Sequence, residues 1–307
     1  MIEVYDISWT NLSESAVALG YFDSIHIGHQ ALIGQMKEYA DSNSLMSAVF
    51  TFTKKVKLNH KGNDIYTPGR KLSLVRDMGV ELFYSPDFFR FSEETPRQFV
   101  EKILIGSMNA KAVFCGDNFF FGKNRRGDAA MLEELCREYS IRFFKVDTVY
   151  LDGEYVSTTA VREHLEKGEI RRVNRLLGRP YTVSLPVRHG KRNGHLMGTP
   201  TINQVFPRDM CTPMEGVYAT ATIVDGVRYP SATGFGRRPT VNGTDPTCET
   251  YILGFDGDLY DRQVSVEFYD WLFPVRKFDS LEELGAMIRG AAQSSKEILI
   301  KDGIMTE

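Results

Sequence analysis

The stretch "SAVALGYFDSIHIGH" at residues 15–29 decides how the first half of the chain is read. An apolar, β-rich run from Ser15 to Tyr21 leads into a turn containing Gly20, Phe22 and Asp23. His26, Gly28 and His29 then open a segment whose apolar residues fall at Leu32, Met36, Tyr39 and Ala40, which is helical spacing. A strand that turns into a helix leaves free backbone N–H groups and the positive end of the helix dipole at the turn, a natural place for phosphate. Gly28 lets backbone come close to a ligand, and two imidazoles three residues apart can donate to the same anion. Taken from the residues alone, phosphate handling, a metal site and a structural loop all stay open. The metal reading needs a third ligand, and no HExxH pattern or nearby cysteine supplies one.

Further strand-like runs lie at 45–52, 80–84, 111–115 and 141–146. Helical spacing lies between them, at Phe99, Ile103 and Leu104 and at Met131, Leu132, Leu135 and Tyr139. This alternation predicts an α/β fold, a parallel sheet covered by helices. Ligands of such sheets bind beyond the carboxyl ends of the strands, where the opening turn and the chain from Gly116 onward both fall. Two more helices are expected at 158–167 and 169–177, with Gly178 as C-cap.

After "GRPY" (178–181) the texture changes from crossovers to hairpins. Residues 216–236 read as two arms around Asp225-Gly226, and 249–273 read as a second hairpin around Asp256-Gly257-Asp258. Apolar positions 281, 284, 287, 288 and 291 predict a closing amphipathic helix. The expected organisation is an α/β domain over 1–182 and an antiparallel β-barrel with a C-terminal helix over 183–307.

Composition narrows the classes. With 42% apolar residues, 25% charged residues and a net charge of −3, the chain gives no support to a role in coating nucleic acid or lying on a membrane. No apolar run approaches the ~18 residues of a membrane span, and the N-terminus lacks a signal-peptide pattern. The four cysteines are far apart, with no CxxC spacing, and read as reduced thiols of a cytoplasmic protein. Small-molecule partners are expected, with weak self-association left open.

Four other stretches carry chemistry. "GDNFFFGKNRRG" (116–127) follows a strand; its three phenylalanines, taken alone, read as core, and Lys123, Arg125 and Arg126 as a solvated loop. "STTAVREHLEKGEIRRVNRLLGRPY" (157–181) puts Ser157, Thr158, Thr159 and Arg162 at a helix start, where capping and ligand binding are compatible. "GKRNGHLMGTPTINQ" (190–204) gathers Gly190, Gly194 and Gly198 ahead of Thr201 and Asn203. Gly-rich loops can offer N–H groups to phosphate, and the two neutral side-chain oxygens suit a magnesium shell shared with a nucleotide. The spacing is not that of a P-loop. Glu249 in "CETYILGF" (248–255), taken alone, is one exposed position of an alternating strand.

Together with the opening motif, these stretches resemble the bacterial bifunctional riboflavin kinase/FMN adenylyltransferases (FAD synthetases) over nearly the full length. "GVYA" (216–219), "GFGRRPT" (234–240), "LYDR" (259–262) and "VRKF" (275–278) complete the likeness. The resemblance implies a Rossmann-like nucleotidyltransferase domain followed by a riboflavin kinase-like barrel. It implies that His26 and His29 contact the ATP phosphates and stabilise charge at the reacting α-phosphorus, with Asn118 near the reacting phosphates. Ser157, Thr158 and Arg162 would hold the end that leaves as pyrophosphate, and Asp23 lies within the nucleotide-binding turn. In the second domain it implies that Thr201 and Asn203 hold MgATP and that Glu249 deprotonates the ribityl 5′-hydroxyl of riboflavin. ATP would be co-substrate, riboflavin, FMN and FAD substrates or products, and Mg2+ the cofactor.

The chain departs from the family pattern at several places. Ser24 stands where glycine is usual, and "FTFTKKVK" (50–57) replaces a Phe-x-Pro-His-Pro stretch. Tyr251 replaces a histidine, Asp261 a glycine, and "IRGAAQ" (288–293) lacks the usual aspartate. These changes leave two alternatives to the bifunctional enzyme: a monofunctional FMN adenylyltransferase and a non-catalytic flavin- or nucleotide-sensing protein.

Overall fold

The structure is a computed structural model and describes residues 1–52, 63–189, 198–237, 245–276 and 278–306. It divides into two compact units, Met1–Gly62 with Tyr66–Thr158, and Asn63–Ile65 with Thr159–Glu307.

The first unit is built on a six-stranded sheet in the order β1-β4-β3-β2-β5-β6. Its strands are β1 (Ile2–Val4), β2 (Ser15–Leu19), β3 (Met46–Phe50), β4 (Leu82–Tyr84), β5 (Ala110–Gly116) and β6 (Arg142–Val146), and every pairing is parallel. The chain moves outward from β2 through β3 to β4, then returns to lay β5 on the other side of β2. The carboxyl ends of β2 and β5 are therefore the topological switch point, where a crevice opens in sheets of this kind. β2 is buried along its whole length, as its apolar run requires. The helix Ile27–Ser42 buries Leu32, Ile33, Met36 and Ala40, so its face is the one the sequence spacing gives.

Two local details differ from the sequence reading. Residues Phe99–Ser107 form a π-helix, opened by a capping box between Thr95 and Gln98. The wider turn still turns Phe99, Val100, Ile103, Leu104 and Ser107 inward, so the same apolar residues serve the core. In the helix Ala129–Glu138, Leu132 and Leu135 are buried while Met131 is largely exposed. The phenylalanine run splits by role: Phe121 is core, 5.4 Å from the Phe99 ring, and Phe119 packs against the same cluster. Phe120 is exposed beneath the Arg125 guanidinium, 4.5 Å from its ring centre. After β6, a short hairpin pairs β7 (Tyr150–Leu151) with β8 (Glu154–Tyr155).

The second unit starts within the helix Thr158–Glu166 and continues through the helix Ile170–Leu177. Gly178 ends that helix in the left-handed conformation, φ 67°, as a C-cap glycine should. Six strands follow: β9 (Tyr181–Pro186), β10 (Thr201–Val205), β11 (Gly216–Val224), β12 (Val227–Arg237), β13 (Pro246–Ile252) and β14 (Gln263–Phe273). They pair antiparallel in the order β10-β13-β12-β11-β14-β9. The sheet curls into a half-barrel because its ends are tied together. Buried Gln204 of β10 donates to the carbonyls of Leu185 on β9 (2.7 Å) and Val264 on β14 (2.8 Å). Its inner face carries a chain of buried hydroxyls, Thr222 to Ser231, Ser231 to Thr220, Thr220 to Thr233 and Thr233 to Thr250, each step within 3.0 Å. Every one of these hydroxyls has a hydrogen-bond partner, and Thr220 also donates to the Ser231 carbonyl at 2.9 Å, which is how an interior tolerates them.

The first expected hairpin is present: Val224 faces Val227 across Asp225-Gly226, whose φ angles are both positive. The second is not. β13 lies between β10 and β12, and β14 between β11 and β9, so residues 249–273 are two strands separated by β12 and β11. The Asp-Gly signal marks only a bend at Gly257, and both sides of β13 are already filled by strands distant in sequence. The closing helix Leu281–Lys301, capped by Ser280, lays Ala291, Ala292 and Leu299 on the outer face of the sheet, while Leu281 is exposed.

All four cysteines are buried thiols. Burial pushes Cys115, Cys136 and Cys248 up to about 12, which leaves them unreactive at neutral pH. Among the described residues, no helix is long and apolar enough to cross a membrane.

Candidate active site

The turn after β2 is held against ordinary backbone preference. Phe22 and Ile25 have φ of 50° and 45°, a region that bulky and β-branched residues rarely enter. Such conformations cost roughly 1–3 kcal/mol each and persist only where the surroundings over-determine them. Here both side chains are buried, and the turn's carbonyls are claimed from three elements. Thr51 Oγ1 (2.7 Å) and Lys71 Nζ (3.1 Å) donate to Tyr21 O, and Gln30 Nε2 donates to Ile25 O (2.8 Å). Gly20 is needed because the Phe22 ring folds back over it: a Cβ there would lie 2.8 Å from the ring carbons.

This turn delivers the two histidines to the start of the helix Ile27–Ser42. His26 is the N-cap, its Nδ1 accepting the His29 backbone N–H at 3.1 Å. An accepting Nδ1 leaves the proton on Nε2, so the opposite edge of the His26 ring is a donor. The His29 ring stacks on His26 with centroids 3.6 Å apart and 15° between planes, and Phe22 meets His29 edge-on at 5.1 Å. Gly28 lies beneath the His26 ring, where a Cβ would come within 3.2 Å. Asp23 and Ser24 are buried within the same turn.

One of the other sequence-singled stretches of the first unit meets this turn. Ser24 Oγ lies 3.1 Å from Thr158 Oγ1, so the residue that departs from the family pattern is the one that ties the turn to the Ser157-Thr158 stretch. Asn118, exposed on the loop after β5, donates through Nδ2 to Tyr155 Oη at 2.7 Å. Arg162 lies one helical turn beyond Thr158, within the second unit, where its Nε donates to Asn63 O at 3.1 Å. Two residues here escaped the sequence reading. Lys71 is buried, with its ammonium 4.3 Å from the centre of the Tyr21 ring; a lysine in a polar helix gives no signal of that. Tyr155 had no signal beyond its place two residues before Ser157.

The second unit builds its site by strand register. Asn203 faces Glu249 and Thr201 faces Tyr251 across β10 and β13, so all four side chains share one face of the sheet. Gly234 of β12 faces Glu249 from the other side and leaves that flank open. Tyr251 packs with Ala232, Ala291 and Ala292 under the closing helix. Gly198 is exposed with φ 62° ahead of β10; Gly190 and Gly194 lie outside the described residues. Among the described residues no cluster of three His, Cys, Asp or Glu side chains forms a metal cage. The donor set is instead two neutral oxygens beside one carboxylate, which fits a magnesium ion that takes its remaining ligands from phosphate and water.

Residues 9–160 match the FAD synthetase family and residues 177–299 the riboflavin kinase family. The chain is 32% identical over 291 residues to a bifunctional riboflavin kinase/FMN adenylyltransferase of Pseudomonas fluorescens, covering 91% of each. It is 30% identical over 302 residues to the enzyme of that name from Escherichia coli K12, covering 96% of each. Among solved structures it is similar to a chain from Streptococcus pneumoniae described as a macrolide-efflux protein, with a TM-score of 0.86, 26% identity, and coverage of 96% of this chain and 99% of the other. Two family matches in the expected order, with relatives at 30–32% identity covered over 91–96% of their length, make this chain a member of the bifunctional riboflavin kinase/FMN adenylyltransferase family.

Proposed function

We infer that the chain makes FAD from FMN and ATP, releasing pyrophosphate, and makes FMN from riboflavin and ATP, releasing ADP, with residues 1–182 serving the first reaction and 183–307 the second. The observation that carries this reading is the strained turn at the switch point, which presents a stacked histidine pair at a helix N-terminus.

In the first reaction an oxygen of the FMN phosphate attacks the α-phosphorus of ATP as the bond to pyrophosphate breaks. The nucleophile is already an anion, so positioning and charge stabilisation matter more than a base. His26 offers its Nε2–H, and the N-terminal N–H groups of the helix offer fixed dipoles. His29 is held in place by His26 and Phe22. Asn118 meets the reacting phosphates, and Ser157, Thr158 and Arg162 take the departing end. The buried Asp23 and the glycines Gly20 and Gly28 shape the nucleotide turn.

In the second reaction Glu249 takes the proton of the ribityl 5′-hydroxyl, whose oxygen attacks the γ-phosphorus of ATP. Thr201 and Asn203 would hold Mg2+, which supplies charge neutralisation on the phosphates, with the Gly190, Gly194 and Gly198 loop ahead of them. The full assignment includes a cytoplasmic location.

The test is direct. Purified protein with MgATP and either FMN or riboflavin is expected to give FAD from the first and FMN, then FAD, from the second, resolved chromatographically. FAD from FMN without FMN from riboflavin would reduce the protein to a monofunctional adenylyltransferase. No FAD from FMN would end the reading.

A further inference from the structure

An amide on an exposed loop is a poor catalytic group unless something fixes it, and Asn118 is fixed by Tyr155. Nδ2 donates to the phenol oxygen at 2.7 Å. Tyr155 in turn sits in a rigid frame: it pairs with Tyr150 across the β7–β8 hairpin, the two rings are 6.1 Å apart, and the following Val156 N–H is bonded to Val149 O at 3.0 Å. A phenol oxygen that accepts still has its own proton to give, and none of the described residues accepts it. Burial, with Tyr150 and Asp117 nearby, raises the Tyr155 hydroxyl above its usual pKa, so that proton is retained at neutral pH. Asn118 Nδ2 likewise has a second proton beyond the one given to Tyr155. The pair therefore presents two donors, two residues ahead of Ser157.

We propose that Tyr155 is a substrate-contacting residue of the adenylyl-transfer site, holding the Asn118 amide through its oxygen and donating its hydroxyl proton to an oxygen of the phosphates that Asn118 meets. This rests on the assignment of Asn118 to those phosphates.

The experiment measures kcat/KM for FAD formation from FMN in the full chain for Tyr155→Phe, Asn118→Ala and the double variant. Phenylalanine keeps the ring and removes only the hydroxyl. A hydrogen bond to a charged group is worth about 1.5–3 kcal/mol, so Tyr155→Phe is expected to lower kcat/KM by about tenfold or more. The double variant is expected to fall severalfold below Asn118→Ala, because Tyr155 makes a bond of its own to the phosphate, but by less than the product of the two single losses, because Tyr155 also holds the Asn118 amide. Riboflavin phosphorylation and the melting temperature are expected to be unchanged, which a general loss of packing would not leave so. Wild-type kcat/KM in Tyr155→Phe, or a double variant no weaker than Asn118→Ala, would overturn the proposal while leaving the assignment of Asn118 intact. Full activity in Asn118→Ala would overturn that assignment and the proposal with it.

Discussion

The two units handle the same kind of ligand with opposite construction. The first gathers its groups at a turn with two residues at positive φ, where Phe22, Ile25, Asp23 and Ser24 are all buried and the Tyr21 and Ile25 carbonyls accept from side chains outside the turn. The second sets its groups on strands, where register alone puts Thr201, Asn203, Glu249 and Tyr251 on one face. In a turn of the first kind the backbone is part of the site, so a change in one residue is felt by the others. On a sheet face the backbone is fixed by pairing, and single side chains can be exchanged without moving their neighbours. The family departures follow this difference. The second site has substituted Tyr251 outright, whereas in the first Ser24 has been drawn into a bond with Thr158.

The largest expected effect tests the modular side. Glu249→Gln keeps size and register and removes the carboxylate proposed as the base, so riboflavin phosphorylation should fall by about 10²–10⁴-fold. FAD formation from FMN should stay within about twofold of wild type. Parallel loss of both activities would mean that the two sites are not separable. His29→Ala tests the other side. It removes the ring that stacks on His26 and should lower FAD formation at least about tenfold, with phosphorylation of riboflavin nearly unchanged. An adenylyl-transfer rate that survives intact would remove the histidine pair from the mechanism.

How much of this was legible in the sequence depended on how local each feature is. The β2-turn-helix unit and the Asp225-Gly226 hairpin were readable because turn chemistry and apolar spacing lie within a few residues of each other. Gly178 was readable for the same reason. The β13–β14 hairpin was misread because strand partners in a closing sheet are chosen by residues far away, here β10 and β12 for β13. The histidines, Asn118, Thr201, Asn203 and Glu249 were named from motifs. Their supports were not: Lys71 matters through its burial and its bond to Tyr21 O, and Tyr155 through its bond to Asn118, and neither leaves a pattern in the chain.

Lys71 gives the next expected effect. Its ammonium donates to Tyr21 O and lies over the Tyr21 ring, so it braces the strained turn from behind. Lys71→Met fills similar space without the donor, while Thr51 still donates to that carbonyl. FAD formation should fall about fivefold, with most of the change in kcat, since the bond braces the turn that carries the histidines. Lys71→Arg should recover part of it. A methionine variant with unchanged kcat would show that Thr51 and Gln30 alone suffice to hold the turn.

The smallest effect is the most informative about the departure at position 24. Ser24→Gly restores the residue usual in the family and removes the 3.1 Å contact to Thr158 Oγ1. A neutral hydrogen bond of this kind contributes about 0.5–1.5 kcal/mol. Glycine also adds freedom to the unfolded chain, about 0.4–1 kcal/mol in the same direction. Stability should therefore drop by roughly 1–2 kcal/mol, read as a lower urea midpoint at unchanged m-value. The KM for ATP in FAD formation should rise by no more than about threefold, because Thr158 loses a tether and not its place at the helix start. Thr158→Val cuts the same bond from the other end and also removes a group assigned to the nucleotide. Its KM should rise further than that of Ser24→Gly at a similar loss of stability. Equal KM changes in the two variants would mean that Thr158 serves the turn and does not touch the nucleotide. The link between Ser24 and Thr158 would then be structural on both sides.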